Sequence, residues 1–298
     1  RRMEERVAQV RAEMERACRA AGRAPGEVLL CAASKTQNSE TVRAAAALDI
    51  DLFGENRVQE LCEKYAAGAY SGKPLHFIGH LQTNKVRQVV GRACMIESVG
   101  SHRLLECVAA EAQKQGIRQD ILVEINIGAE TSKSGIAPEE LPGLLECAHA
   151  LPSLRVRGLM SIPPAADAPG ASRPYFAQMR GLFERAQAAQ GGNVSMEYLS
   201  MGMSADFADA SFGRGKSGPR RDRTVRRAEL SCTVALYNMY YKGKTAPGYS
   251  NPGAVFQIPR NRSSLCVSAP AGGGAADADG QRHVRPAPPH THRHILPA

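Results

Sequence analysis

Seven short apolar segments, each separated from the next by a stretch with helical patterning, constrain this chain more than any other feature of its sequence. They lie at 28–34, 51–54, 76–79, 94–99, 120–126, 154–160 and 196–199. A short apolar run bounded by polar residues is the pattern of a strand covered on both faces, as in a parallel sheet. Helical stretches follow at 40–48, 57–66, 83–90, 102–115, 138–149 and 173–190. Ahead of them, Met3, Val7, Val10, Met14, Ala17 and Cys18 share one face of a helix over 3–21. Ser39 stands where it can cap the helix of 40–48, and Asn56 where it can cap that of 57–66. Alternating strands and helices predict βα units with right-handed crossovers, hence an α/β fold. A (β/α)8 TIM-type barrel needs one strand more than these seven.

Parallel barrels place their chemistry where the strands end. The first segment, Val28-Leu29-Leu30-Cys31-Ala32-Ala33-Ser34, delivers a single lysine, Lys35. An amine held at a dry strand mouth can attack a carbonyl carbon once it has lost its proton. The plainer reading is a lysine emerging into solvent. Other strand ends carry Glu55 and Asn56, His80, Ser161, and Ser200, Gly202 and Ser204. Ser200-Met201-Gly202-Met203-Ser204 is a candidate phosphate cradle, because glycine lets an anion approach the backbone while hydroxyls and free N–H groups face it. Ser204 reads equally well as a helix cap. Gly213-Arg214-Gly215-Lys216-Ser217 imitates a nucleotide-binding loop, but Ala210 stands where that loop needs its first glycine. His290, His292 and His294 alternate in a Pro-rich end with no second ligand set, so no metal site is expected there.

The charge of +9 looks like a nucleic-acid signal until it is divided along the chain. Residues 1–206 carry 24 Lys and Arg against 24 Asp and Glu, so the whole excess lies in 207–298. Arg220 to Arg227 holds five arginines, and from 267 onward Ala, Gly, Pro and His dominate. Residues 211–298 therefore read as an atypical basic tail, largely disordered, appended to a domain of 1–210. Thr233–Tyr241 is the one apolar run within it, and its apolar and aromatic content would allow a strand that fills a gap in the barrel. Eight scattered cysteines form no Cys-x-x-Cys pair, which excludes a zinc ribbon or thioredoxin motif and suits reduced, structural thiols. No run of 18 apolar residues occurs, and the mixed charges of Arg1-Arg2-Met3-Glu4-Glu5-Arg6 fit neither a secretory nor a transit peptide. A cytoplasmic protein without membrane contacts is expected.

Six ordered motifs carry a family likeness. They are Cys31-Ala32-Ala33-Ser34-Lys35-Thr36, Phe53-Gly54-Glu55-Asn56-Arg57-Val58-Gln59-Glu60 and His76-Phe77-Ile78-Gly79-His80-Leu81-Gln82, then Ser132-Lys133-Ser134-Gly135, Arg157-Gly158-Leu159-Met160-Ser161-Ile162-Pro163 and Leu199-Ser200-Met201-Gly202-Met203-Ser204. Over about residues 3–210 the chain closely resembles the pyridoxal phosphate homeostasis proteins, relatives of the N-terminal barrel of alanine racemase. The resemblance implies a single-domain barrel that binds pyridoxal 5′-phosphate (PLP), with Lys35 joined to its aldehyde as a Schiff base. It implies Ser200, Gly202, Met203 and Ser204 beside the phosphate, and Asn56, His80, Met160 and Ser161 around the ring. Lys133 would lie on the same rim as a secondary amine for PLP transfer. It further implies a monomeric, non-catalytic carrier that buffers PLP or delivers it to PLP-dependent apo-enzymes.

Two rival readings remain. A fold-type III amino-acid racemase needs a second acid/base opposite the lysine, in alanine racemase a tyrosine from the partner's all-β domain, and nothing after residue 210 reads as such a domain. Nucleic-acid binding would rest on the Arg-rich tail alone. The family pattern itself breaks after residue 210. Its eighth strand should fall near 219–223, where Pro219-Arg220-Arg221-Asp222-Arg223 is too charged to be buried. A barrel lacking its normal eighth strand would expose the edges of the first and seventh strands. It would also lose phosphate contacts, so weakened PLP binding and poor solubility are expected.

Overall fold

The computed structural model describes residues 2–24, 26–130, 134–165, 168 and 170–203, together with the backbone of Thr233–Tyr237. Helix α1 (Arg2–Ala20) leads, and then strand and helix alternate: β1 (Leu29–Ala33), α2 (Ser39–Ala46), β2 (Leu52–Glu55), α3 (Val58–Ala66), β3 (Leu75–Phe77) and α4 (Val86–Val89). The second half continues with β4 (Met95–Val99), α5 (His102–Lys114), β5 (Gln119–Glu124), α6 (Leu141–His149), β6 (Leu154–Met160), α7 (Arg173–Ala186), β7 (Val194–Ser200) and β8 (Thr233–Tyr237). Single 3-10 turns lead into α4 and α6 and extend α7. All seven strands expected from the apolar segments are present, and β1 to β7 pair in parallel with their sequence neighbours. They curl as an incomplete α/β barrel.

The eighth strand departs from expectation. The sheet order is β7-β6-β5-β4-β3-β2-β1-β8, and β8 lies antiparallel on β1, with Leu29 opposite Tyr237 and Ala33 opposite Thr233. The first strand's edge is therefore covered rather than exposed, by the run whose β-branched and aromatic content favours a strand. Among the described residues no hydrogen-bonded pairing joins β7 to β8. The charged stretch at 219–223 and the remainder of the tail lie outside the described residues.

One large core fills the space between the sheet's outer face and the helices. Leu30, Phe53, Phe77, Ile96, Ile121 and Val123 point outward into it and meet Val7, Val10 and Met14 of α1, Leu61 of α3, and Leu105 and Val108 of α5. Each such side chain contributes roughly 1.5–3 kcal/mol by leaving water. Inside the curve the packing is sparser, with Met95, Leu122 and Met160 forming a small cluster against Tyr198. Arg11 fastens α1 to the sheet by bonding Asp51 at 2.8 Å, and Asp51 in turn accepts the backbone N–H of Leu30 at 2.6 Å. The cap of α2 is one residue earlier than expected: Asn38 has the extended backbone a cap needs, and its side chain accepts from the N–H of Thr41 at 2.8 Å. No helix among the described residues is long and apolar enough to cross a membrane.

Candidate functional site

Strands β1, β2, β3, β6 and β7 end on one side of the sheet, and the residues just past them enclose a cleft of about 490 Å³ including the solvent at its mouth. Its walls are Ala33, Lys35, Asn56, Ile78, Met160, Ser161, Ile162, Met201, Gly202 and Met203. Six of the nine residues singled out from the sequence thus meet: Lys35, Asn56, Met160, Ser161, Gly202 and Met203. Ser204 and Lys133 lie outside the described residues.

His80 and Ser200 do not line the cleft. His80 is exposed beyond β3, its Nδ1 2.9 Å from the Ser134 hydroxyl. Ser200 is buried, and its hydroxyl donates to Glu97 Oε2 at 2.6 Å. The other Glu97 oxygen lies 2.5 Å from His76 Nδ1, so this carboxylate braces β3, β4 and β7 across the inside of the curve. A hydroxyl proton held by a carboxylate is not free to donate to an anion. The order Ser–Glu–His puts a carboxylate rather than an imidazole against the serine, so it is not the arrangement of a Ser-His-acid triad.

The walls are mostly apolar, with Lys35, Asn56 and Ser161 the polar side chains among the lining residues. Asn56 does not cap α3, whose first position is preceded by Arg57 without a side-chain cap bond. Instead Asn56 Oδ1 is buried with no hydrogen-bond partner, as is Ser161 Oγ on the opposite wall. Two orphaned polar atoms in residues that line a cleft are costly unless a ligand or water satisfies them. Close backbone packing fixes Asn56. A Cβ on Gly79 would lie 2.0 Å from the Asn56 carbonyl oxygen, so only glycine lets the ends of β2 and β3 approach this far. Gly202 has φ +93°, and as glycine it enters that region without strain while turning its backbone along the wall.

Behind Lys35, on the helix side of the sheet, lies a polar network the sequence did not announce. Glu55 is fully buried, and its Oε1 accepts from Ser34 Oγ at 2.5 Å, Lys64 Nζ at 2.7 Å and Tyr70 OH at 3.2 Å. Lys64 Nζ also donates to the Ser34 carbonyl at 2.6 Å and to Glu60 Oε2 at 3.0 Å. Burial alone would raise the Glu60 carboxyl; hydrogen bonds from Lys64 and the Thr36 N–H, with the charges of Lys64 and Arg57, hold it below the usual value. Burial first, and then the facing Glu55 carboxylate, push the Tyr70 hydroxyl well above its ordinary value. On the concave side, burial raises the Glu124 carboxyl at the end of β5 to about 7.

The alanine racemase N-terminal domain family matches residues 7–214. A pyridoxal phosphate homeostasis protein of Aquifex aeolicus is 41% identical over 203 residues, spanning 68% of this chain and 88% of the relative. The chain belongs to the pyridoxal phosphate homeostasis protein family. A second member, from Pseudomonas aeruginosa, is 37% identical over 216 residues, covering 72% of this chain and 91% of its own. Among solved structures, PipY of Synechococcus elongatus is similar at 31% identity. Its form without PLP covers 67% of this chain and 94% of PipY with a TM-score of 0.60. The form with PLP bound covers 66% of this chain and 92% of PipY with a TM-score of 0.56. The family's barrel accounts for seven of this chain's strands. Strand β8 falls on the run Thr233–Tyr241, which the sequence offered as a strand that could fill the gap; its antiparallel pairing with β1 was not foreseen.

Proposed function

We propose that this chain binds PLP in the cleft at the strand ends, captures it covalently through Lys35, and serves PLP homeostasis as a carrier rather than a catalyst. The observation that carries the reading is the cleft itself, where one primary amine shares an apolar enclosure with two buried polar atoms lacking partners, Asn56 Oδ1 and Ser161 Oγ. That set fits PLP: a flat ring suits the Ile78, Met160 and Met203 walls, and its polar substituents suit the orphaned atoms. When bound, PLP supplies an aldehyde whose carbon a primary amine attacks with loss of water. Lys35 provides the amine. Asn56 and Ser161 orient the ring, and Met160 and Met203 keep water from its faces. Gly202 lets the backbone approach the phosphate, the group to which the family likeness also assigns Ser204. His80 stands at the rim, and Ser200 acts through its brace to Glu97 rather than as a donor. The PipY structure with PLP bound and the relatives' shared name support this assignment.

The relatives' shared name supports a carrier role. Lys35 is the one titratable side chain among the described lining residues, so the described walls offer no second acid/base for racemisation. We place the activity in residues 1–210, in the cytoplasm, acting as a monomer, with PLP-dependent apo-enzymes as recipients. Titration with PLP followed by borohydride reduction and peptide mapping tests the reading. The reduced adduct is expected on Lys35 and absent from Lys35→Ala. An adduct confined to another lysine overturns the assignment. Turnover of D- or L-alanine that disappears in Lys35→Ala overturns the carrier role in favour of a racemase.

A further inference from the structure

We propose that α3 is a positioning device for Lys35: Glu60 and Lys64, one helical turn apart, grip the two peptide groups that flank Lys35 and so aim its amine into the cleft. The inference rests on the reading of Lys35 as the capturing amine. Before Lys35, the Ser34 carbonyl accepts from Lys64 Nζ at 2.6 Å. After Lys35, the Thr36 N–H donates to Glu60 Oε2 at 2.7 Å. Lys64 and Glu60 are themselves bonded at 3.0 Å, so the two grips form one unit.

The grip has something to hold. Thr36 has φ +64°, a left-handed conformation that is a genuine outlier for a β-branched residue. Such strain persists only where surrounding structure enforces it, and it concentrates at sites that need a side chain aimed in one direction. The Glu60 carboxylate supplies the enforcement on the N–H side. Its own place is fixed by Lys64 and, at 3.5 Å, by Arg57. Lys64 is anchored at depth by Glu55, which also takes the Ser34 hydroxyl. The pairs Glu60–Lys64 and Arg57–Glu60 follow the i,i+4 and i,i+3 spacing of one helix face, so a single element carries the whole clamp. Without it, the peptide after Lys35 relaxes toward ordinary backbone, and the amine samples directions away from the cleft.

Glu60→Ala tests this, because Glu60 lies at the edge of the network rather than in the core. In the full chain, PLP capture is followed by visible absorbance and by the yield of borohydride-trapped Lys35 peptide. Glu60→Ala is expected to lower capture roughly tenfold, the scale of one released strained residue. Glu60→Gln keeps an acceptor for the Thr36 N–H and should recover most of it. Thr36→Gly placed in the Glu60→Ala chain should also restore capture, since glycine enters the left-handed region without enforcement. A merely structural role for Glu60 would not respond to that second change. Equal capture by Glu60→Ala, or a loss that Thr36→Gly leaves unchanged, overturns the clamp. If the unsubstituted chain forms no adduct at Lys35, the reading of the site falls and the clamp falls with it, a result visible before any variant is made.

Discussion

Glu55 of β2 and Glu124 of β5 are both buried carboxyls, one on the helix side of the sheet and one inside its curve. Glu55 faces an ammonium, a serine hydroxyl and a tyrosine hydroxyl, all within 3.2 Å. The Glu124 carboxyl has no hydrogen-bond or ion-pair partner among the described residues, and burial alone raises it to about 7. The helix side therefore uses a compensated charge to stiffen the turn that carries Lys35. On the concave side, burial acts on Glu124 with no opposing charge among the described residues. The lesson is that burial by itself does not make a charged group structural; the partners on the facing element decide its sign.

The largest expected effect comes from removing that compensation. Lys64→Met leaves the Glu55 charge buried and unpaired, which should cost about 3–5 kcal/mol of stability in a chemical denaturation series. Adding Glu55→Leu to the same chain should recover most of the loss, because a well-packed apolar pair often equals a buried ion pair. If Lys64→Met were neutral, the contrast between the two sides would collapse.

Glu124→Gln probes the other side and should act in the opposite direction. The unfolded carboxyl ionises near 4.5 and the folded one near 7. Between those values only the unfolded state gives up the proton, so stability falls as pH rises through that window and the penalty is complete above 7. The amide carries no such penalty. Glu124→Gln should therefore be more stable at pH 8 by roughly 3 kcal/mol, at ~1.4 kcal/mol per pKa unit, with the gain vanishing below about pH 4.5. Glu60 behaves inversely. Its folded value is held below the ordinary one, so its contribution is present at neutral pH and lost as pH falls through that lowered value. Melting curves from pH 8 down to well below pH 4 separate the two carboxyls, and a pH-independent gain for Glu124→Gln would show that its burial costs nothing.

These two sides also mark what the sequence could and could not convey. Strand ends were legible because apolar segments are short and stop abruptly, which put Lys35, Asn56, Ser161 and Gly202 on one rim; Met160 and Met203 were implied only by the family likeness. Ala33 and Ile78 were illegible as site residues, since an apolar residue lining a ligand cleft looks like any other core residue. Ser200 was misleading because its hydroxyl direction depends on Glu97, 103 positions earlier. The clamp was hidden for a related reason: a lysine and two acids on a helix read as its solvated face, and nothing local reveals that Lys64 is buried against β2. Strand β8 was half legible. Its apolar run was visible, but its antiparallel placement on β1 depends on pairing across more than the local pattern.

The smallest predicted effect separates holding the turn together from aiming the lysine. Asn38, three residues past Lys35, caps α2 through the Thr41 N–H at 2.8 Å and is exposed. Asn38→Ala should cost about 1 kcal/mol, and Asn38→Gly only a few tenths, because glycine tolerates the cap backbone while losing the side-chain bond. The Gln37 N–H bonds the Ser34 carbonyl at 3.1 Å, so the turn stays closed upstream of the cap. Neither variant touches the grips on the peptides flanking Lys35. PLP capture should therefore be unchanged in Asn38→Ala although its melting temperature falls, whereas Glu60→Ala should lower capture with little loss of melting temperature. Should Asn38→Ala reduce capture in proportion to stability, general loosening of the turn would explain both variants, and the distinction between a charge that holds the fold and one that aims the amine would fail.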